Sequence, residues 1–144
     1  MTGTARVDHE FVAFIPEQLK EGRVYVSIPY ATASHLCLCG CGQKVVTPLS
    51  PAGWKLTFDG ETVSFHPSIG NWSFKCQSHY WIKSNRVQWA GRLTGDEIAH
   101  NRAHDRAVRQ THYGAQTGKA LESAPAEPKP KSSVRARFWA RIWK

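Results

Sequence analysis

Three of the four cysteines fall within five residues, in Ser34-His35-Leu36-Cys37-Leu38-Cys39-Gly40-Cys41-Gly42. The fourth, Cys76, lies in a second dense stretch from Pro67 to Trp81, which also holds Ser68, Ser73, Ser78 and His79. Nothing else in the chain constrains its fold so tightly. Thiolates around one tetrahedral zinc stand about 2.3 Å from the metal, so neighbouring sulfurs must come within roughly 4 Å of each other. A straight strand would hold Cys37 and Cys41 about 13 Å apart. Gly40 and Gly42 resolve the conflict, because glycine readily takes positive φ and lets the chain turn back. The reading is that one zinc ion ties the two stretches together. Its ligands are Cys37, Cys39, Cys41 and Cys76, or three of them with His79 or His35, since imidazole is an equally good ligand.

Buried or disulfide-bonded cysteines are the plainer alternative. Residues 1–30 show no basic start followed by an apolar core and a small-residue cleavage site, as a secretory signal would. The chain is therefore expected in the cytoplasm, where thiols stay reduced and clustered cysteines serve as metal ligands or catalysts. At 144 residues it makes one domain with extensions. No apolar run approaches the roughly 20 residues that cross a membrane as a helix. The net charge of +8 is uneven: residues 1–93 carry +3, residues 94–118 carry zero and residues 119–144 carry +5. A nucleic-acid-binding domain usually carries its basic stripe on the folded part, so nucleic acid is not the expected partner.

Apolar and β-branched runs predict strands over Glu10–Ile15, Arg23–Ile28, Lys44–Thr47 and Trp54–Phe58. Asp59-Gly60 predicts a two-residue hairpin turn into Glu61–Phe65. A last hairpin is expected from His79–Ile82 to Val87–Trp89 around Ser84-Asn85. Trp54, Trp72, Trp81 and Trp89 are expected mostly in the core. Thr94 with Glu97 reads as a capping box, with Leu93 and Ile98 as its staple. Gly114 reads as the stop, and Ala99, Ala103 and Ala107 give only a thin apolar stripe, which suits a surface helix. His100 and His104 lack the intervening glutamate of a His-Glu-x-x-His site.

The fold class expected is therefore mostly β: a small metal-stabilised domain with antiparallel hairpins over residues 1–93, followed by one surface helix over 94–114. Residues 115–133, rich in Ala, Pro, Lys, Glu and Ser, are expected to be disordered. Residues 134–144 form a basic amphipathic segment suited to an acidic partner or an anionic membrane surface.

Two chemistries fit the dense stretches. In one the zinc is structural, Ser68 or Ser73 is a nucleophile and His79 its base, with backbone amides near Gly70 and Asn71 stabilising an oxyanion. Ser78 is the poorer partner, because neighbours on a strand face opposite ways. In the other, three protein ligands leave zinc a position for an activated water, with His35 or His79 as ligand or proton shuttle. A third, bland reading has these residues capping turns around the metal. The dense stretches contain no acid; Asp59 is the nearest candidate for a triad.

The run from His35 to Trp89 resembles a known family. The matching residues are His35 to Gly42, Val45 to Pro51, Trp54, Val63 to Phe74, Cys76 and Ser78 to Ile82. It is a small bacterial zinc-binding domain family, long of unknown function, encoded in ubiquitin-like conjugation operons. The resemblance extends over residues 9 to about 113. It implies a peptidase that trims the C-terminus of a ubiquitin-like protein or removes it from targets, with E1-like and E2-like proteins as possible further partners. The alternative is a non-catalytic zinc adaptor of the same system.

Overall fold

A computed structural model describes residues 3–123. The chain is mostly β. In order it forms β1 (Asp8–Phe11), β2 (Arg23–Ser27), β3 (Thr32–Leu36), β4 (Lys44–Pro48), β5 (Lys55–Phe58), β6 (Val63–His66), β7 (Ile69–Gly70), β8 (His79–Lys83), β9 (Arg86–Trp89) and α1 (Gly95–Ser123). The strands make three sheets: β1-β2-β3-β4, β5-β6 and β7-β8-β9. All pairs are antiparallel except β1 with β2. No sheet closes into a barrel.

The inward faces follow the period of two that pleating imposes. In β4, Val45 and Thr47 are buried while Lys44, Val46 and Pro48 are exposed. In β8, Tyr80 and Ile82 are buried and Trp81 is not. These positions, with Val24, Val26, Ala33, Leu38, Val63, Phe65 and Ile69, form one core where the sheets meet. Strand β3 escapes an alternation test because its middle, Ala33-Ser34-His35, is buried on both sides. A central strand covered on both faces loses the polar-apolar rhythm.

Asn85 stitches the three sheets. It sits with Ser84 in the β8–β9 turn, both at positive φ (59° and 48°), the geometry of a tight primed hairpin turn. Its amide donates to Val63 O at 3.0 Å, its carbonyl accepts from Val7 N at 2.9 Å, and its side-chain oxygen accepts from Val63 N at 2.8 Å. The remaining side-chain nitrogen lies 3.0 Å from His9 Nδ1.

Three expectations need correction. The β5–β6 loop takes residues 59–62, since Phe58 pairs with Val63. Asp59 N donates to Thr62 O at 3.2 Å, so the chain reverses over Gly60-Glu61, one residue later than expected, and the Asp59 carboxylate ties the loop by accepting from Glu61 N, Thr62 N and Thr62 Oγ1. Of the tryptophans expected in the core, Trp54 packs half-buried against it, whereas Trp72 and Trp81 are half-buried outside that cluster and Trp89 is 41 % exposed. Helix α1 starts with the expected reciprocal Thr94–Glu97 bonds but runs through Gly114 to Ser123. Gly114 is not among the glycines at positive φ, so it does not cap; inside a helix it costs only about 1 kcal/mol. The first nine residues of the expected disordered stretch are thus helical, and the basic segment 134–144 lies outside the described residues.

Replacing Asn85 tests the stitching. Asn85→Gly keeps the turn's φ but orphans the buried Val63 N–H, so it is expected to lower unfolding free energy in urea by about 1–3 kcal/mol. Asn85→Ala should lower it by about a further 1–2 kcal/mol through the left-handed backbone.

Candidate functional site

Two clusters share the β7–β8 hairpin. The first is the cysteine centre. The four sulfurs of Cys37, Cys39, Cys41 and Cys76 all lie within 4.8 Å of one another. Cys37 Sγ is 3.4 Å from Cys39 Sγ and 3.8 Å from Cys76 Sγ, and Cys41 Sγ is 3.8 Å from Cys76 Sγ. Tetrahedral metal–thiolate geometry requires about 3.8 Å, so four cysteines could hold a metal ion. The turn works as glycine allows: Gly40 and Gly42 have φ of 88° and 79°, Gly40 N donates to Cys37 O, and Cys37 N donates to Gln43 O. Neither His35 nor His79 joins the group.

Burial pushes the Cys37 and Cys39 thiols up. At Cys76 burial also acts upward, but hydrogen bonding at Ser78 and the neighbouring sulfurs outweighs it and holds the thiol at about 7. Metal binding must expel the protons that remain, so affinity rises with pH.

Behind the cysteines runs a buried polar chain. Asn71 Nδ2 donates to Ser78 Oγ at 2.9 Å and reaches the Tyr80 hydroxyl at 3.4 Å. Ser78 Oγ is 3.0 Å from Cys37 Sγ, and the Tyr80 hydroxyl is 2.8 Å from His35 Nε2. Asn71 N donates to Ser78 O, so that amide is not free for an oxyanion. His35 is only 1 % exposed, and burial pushes its pKa down to about 4. It is a neutral core residue bonded to a tyrosine, without a serine or sulfur partner.

The second cluster lies on the other face of the hairpin. Ser68 follows Pro67 directly and precedes β7; His79 opens β8. The register pairs Gly70 with His79 and Ile69 with Tyr80, which brings Ser68 Oγ to 2.8 Å from His79 Nε2. Trp54 Nε1 donates to Ser68 O at 3.3 Å. The Trp72 ring stands edge-on to His79 with centroids 4.9 Å apart, and Trp81 lies 5.4 Å away on the same strand face. Trp72 can come so close because position 70 is glycine: a Cβ there would lie 2.3 Å from the indole.

His79 Nδ1 is buried and has no hydrogen-bond partner among the described residues. Burial lowers the pKa of His79, so the ring is neutral at pH 7, as a base must be. Asp59 is held in its hairpin loop and completes no triad. Ser73 is exposed and receives only Arg102 Nη2, at 3.5 Å. Ser68 and His79 open onto a cleft of about 680 Å³ whose walls include Trp54, Trp72, Phe74 and α1. Its aromatic lining was hidden in the sequence; three tryptophans flanking the Ser68 and His79 segments were the available signal.

A family model described as "Bacterial ubiquitination-like system serine protease (BubE)" matches residues 11–90, more than half of the chain. The matched range holds all four cysteines, Ser68, Ser73, His35 and His79, and stops before α1. No curated protein and no solved structure matches significantly.

The cysteine centre predicts one metal equivalent per chain by elemental analysis. Cys37→Ser should lose it and unfold at lower urea. Retention of full metal content by Cys37→Ser and Cys76→Ser alike would exclude this centre.

Proposed function

The chain belongs to the family of bacterial ubiquitination-like system serine proteases, and from that premise we propose that Ser68 is the nucleophile and His79 the base of a peptidase acting on a ubiquitin-like protein. The observation that carries the assignment is the 2.8 Å contact between Ser68 Oγ and His79 Nε2 inside a cleft. Ser68 Oγ attacks the scissile carbonyl carbon and passes its proton to Nε2. That proton then goes to the departing amine, and water hydrolyses the acyl-enzyme by the same route in reverse. The bond cleaved joins the modifier's C-terminus to an extension or to a target. Unlike the familiar triad, whose acid holds the histidine ring, this pair has no carboxylate on Nδ1 among the described residues. Trp72 and Trp81 fix the ring by packing.

The cysteines serve as a structural centre in this reading. Four soft thiolates at tetrahedral spacing fit zinc, and a fully thiolate-bound ion has no open position for a reactive water. The ion's role is to hold the loop that carries Cys76, and with it the start of β8. A reduced cluster of this kind suits the cytoplasm, and the same operon chemistry makes E1-like and E2-like proteins plausible companions. Among the described residues no helix is long and apolar enough to cross a membrane.

The test is the intact mass of the ubiquitin-like protein carrying a C-terminal extension, before and after incubation. Loss of the extension with native protein and with Ser73→Ala, but a fall of at least a hundredfold with Ser68→Ala, is the expected result. Full activity in Ser68→Ala would overturn the assignment, and no mass change with folded, metal-loaded native protein would favour the adaptor.

The pH profile gives a second check. The base must be neutral and burial depresses its pKa, so kcat/KM should rise with pH through a midpoint below the 6.5 of an ordinary histidine. A midpoint above 6.5 would contradict a desolvated His79.

A further inference from the structure

Helix α1 turns an unusual face toward the β domain. A helix packed on a domain normally presents its apolar stripe, yet over residues 95–117 only Ile98 is buried, and Ala99, Ala103 and Ala107 face solvent. The cleft is lined instead by Arg102, Arg106 and Arg109, all three arginines of the helix, with Lys44 on its margin. Their spacing of four and three puts them in one row. The row spans about 10 Å at 1.5 Å per residue, the length of about three residues of extended peptide. Two of the helix's acids, Asp96 and Glu97, lie in its first turn, and Glu97 is engaged by Thr94. Asp105 is the one carboxylate on the cleft wall, and its ion-pair contact is His104. The ion pairs among the described residues are Arg23–Glu10 and His104–Asp105, so the three guanidinium groups have no carboxylate partner there.

Resting on the Ser68–His79 reading, we propose that Arg102, Arg106 and Arg109, with Lys44, form a cationic wall that binds carboxylates of the substrate segment entering the cleft. A guanidinium fork matches a carboxylate in two parallel hydrogen bonds. Opposed to the aromatic floor at Trp54, Trp72 and Phe74, the wall selects an extended acidic segment over a neutral one. The carboxylates come from Asp or Glu side chains beside the scissile bond or from the substrate's own chain end. The matched family range ends at residue 90, so the three arginines of this wall come from a part of the chain beyond it, while Lys44 lies within it.

The test uses full-length Ser68→Ala protein and four labelled peptides: a glutamate-rich sequence and its glutamine counterpart, each as C-terminal acid and amide. Binding is read by fluorescence anisotropy at low and high salt. The glutamate peptide is expected to bind on the order of fivefold more tightly, with the difference shrinking in salt. Arg106→Gln/Arg109→Gln should abolish the preference, and Arg106→Lys/Arg109→Lys should keep part of it, a distinction that a merely structural role would not produce. A preference that follows acid over amide assigns the wall to the chain end; one that follows glutamate assigns it to side chains. Equal binding of all four, or a preference that survives the glutamine variant, overturns the wall while leaving Ser68 as nucleophile. Native protein that cleaves nothing, with the preference intact, sinks the nucleophile and leaves the wall.

Discussion

The side-chain alternation at the start of β8 is the constraint on which the molecule depends. Ser78 and Tyr80 point inward, to Cys37 and to His35; His79 and Trp81 point to the opposite face, where His79 meets Ser68. Successive residues of a strand must diverge in this way. One short segment therefore joins a cysteine centre on one side to the Ser68–His79 pair on the other. Shifting its register by a single residue would exchange the two faces and dismantle both. Two devices guard that register: the β8–β9 turn pinned by Asn85, and the cysteine centre that anchors the chain two residues before Ser78.

Asn71 explains how the faces stay coordinated. Its backbone bonds Ser78 and its side chain bridges the Ser78 and Tyr80 hydroxyls. With Asn71 as donor to both, each hydroxyl can aim its own proton onward, Ser78 to the Cys37 sulfur and Tyr80 to His35. A bond from a hydroxyl to an ionised sulfur is among the stronger kinds, so the chain tightens when the cysteines lose their protons. Buried polar networks of this sort are stable only when nearly complete, and His35 Nε2 and Ser78 Oγ are spent in this one.

The pair itself is unusual in what surrounds it. Where a carboxylate would orient a histidine, this site stacks indoles. Tryptophan brings rigidity but no hydrogen-bond acceptor, and His79 Nδ1 has no partner among the described residues. Gly70 makes this possible by letting the Trp72 indole rest against the backbone. The arginine row of α1 brings to the same cleft a charge that its aromatic lining lacks.

By itself the sequence determined the strand-rich class, the glycine-enabled cysteine turn, the helix start at Thr94 and the small set of serines and histidines near the cysteine cluster. Each of these is local: a period of two, a positive φ, a cap three residues long. The motif resemblance added the ubiquitin-like context. Only the tertiary structure tells the candidates apart by their surroundings, because those surroundings are contacts between residues far apart in the chain. His35 and His79 are equally suggestive in sequence, yet pairing with Tyr80 buries one, and the Gly70–His79 register delivers the other to Ser68. Ser73 and Ser68 differ in the same way, and so do the tryptophans expected in the core. The arginine face was invisible in a helix segment whose net charge is zero, since charge counts do not tell which side of a helix meets the domain.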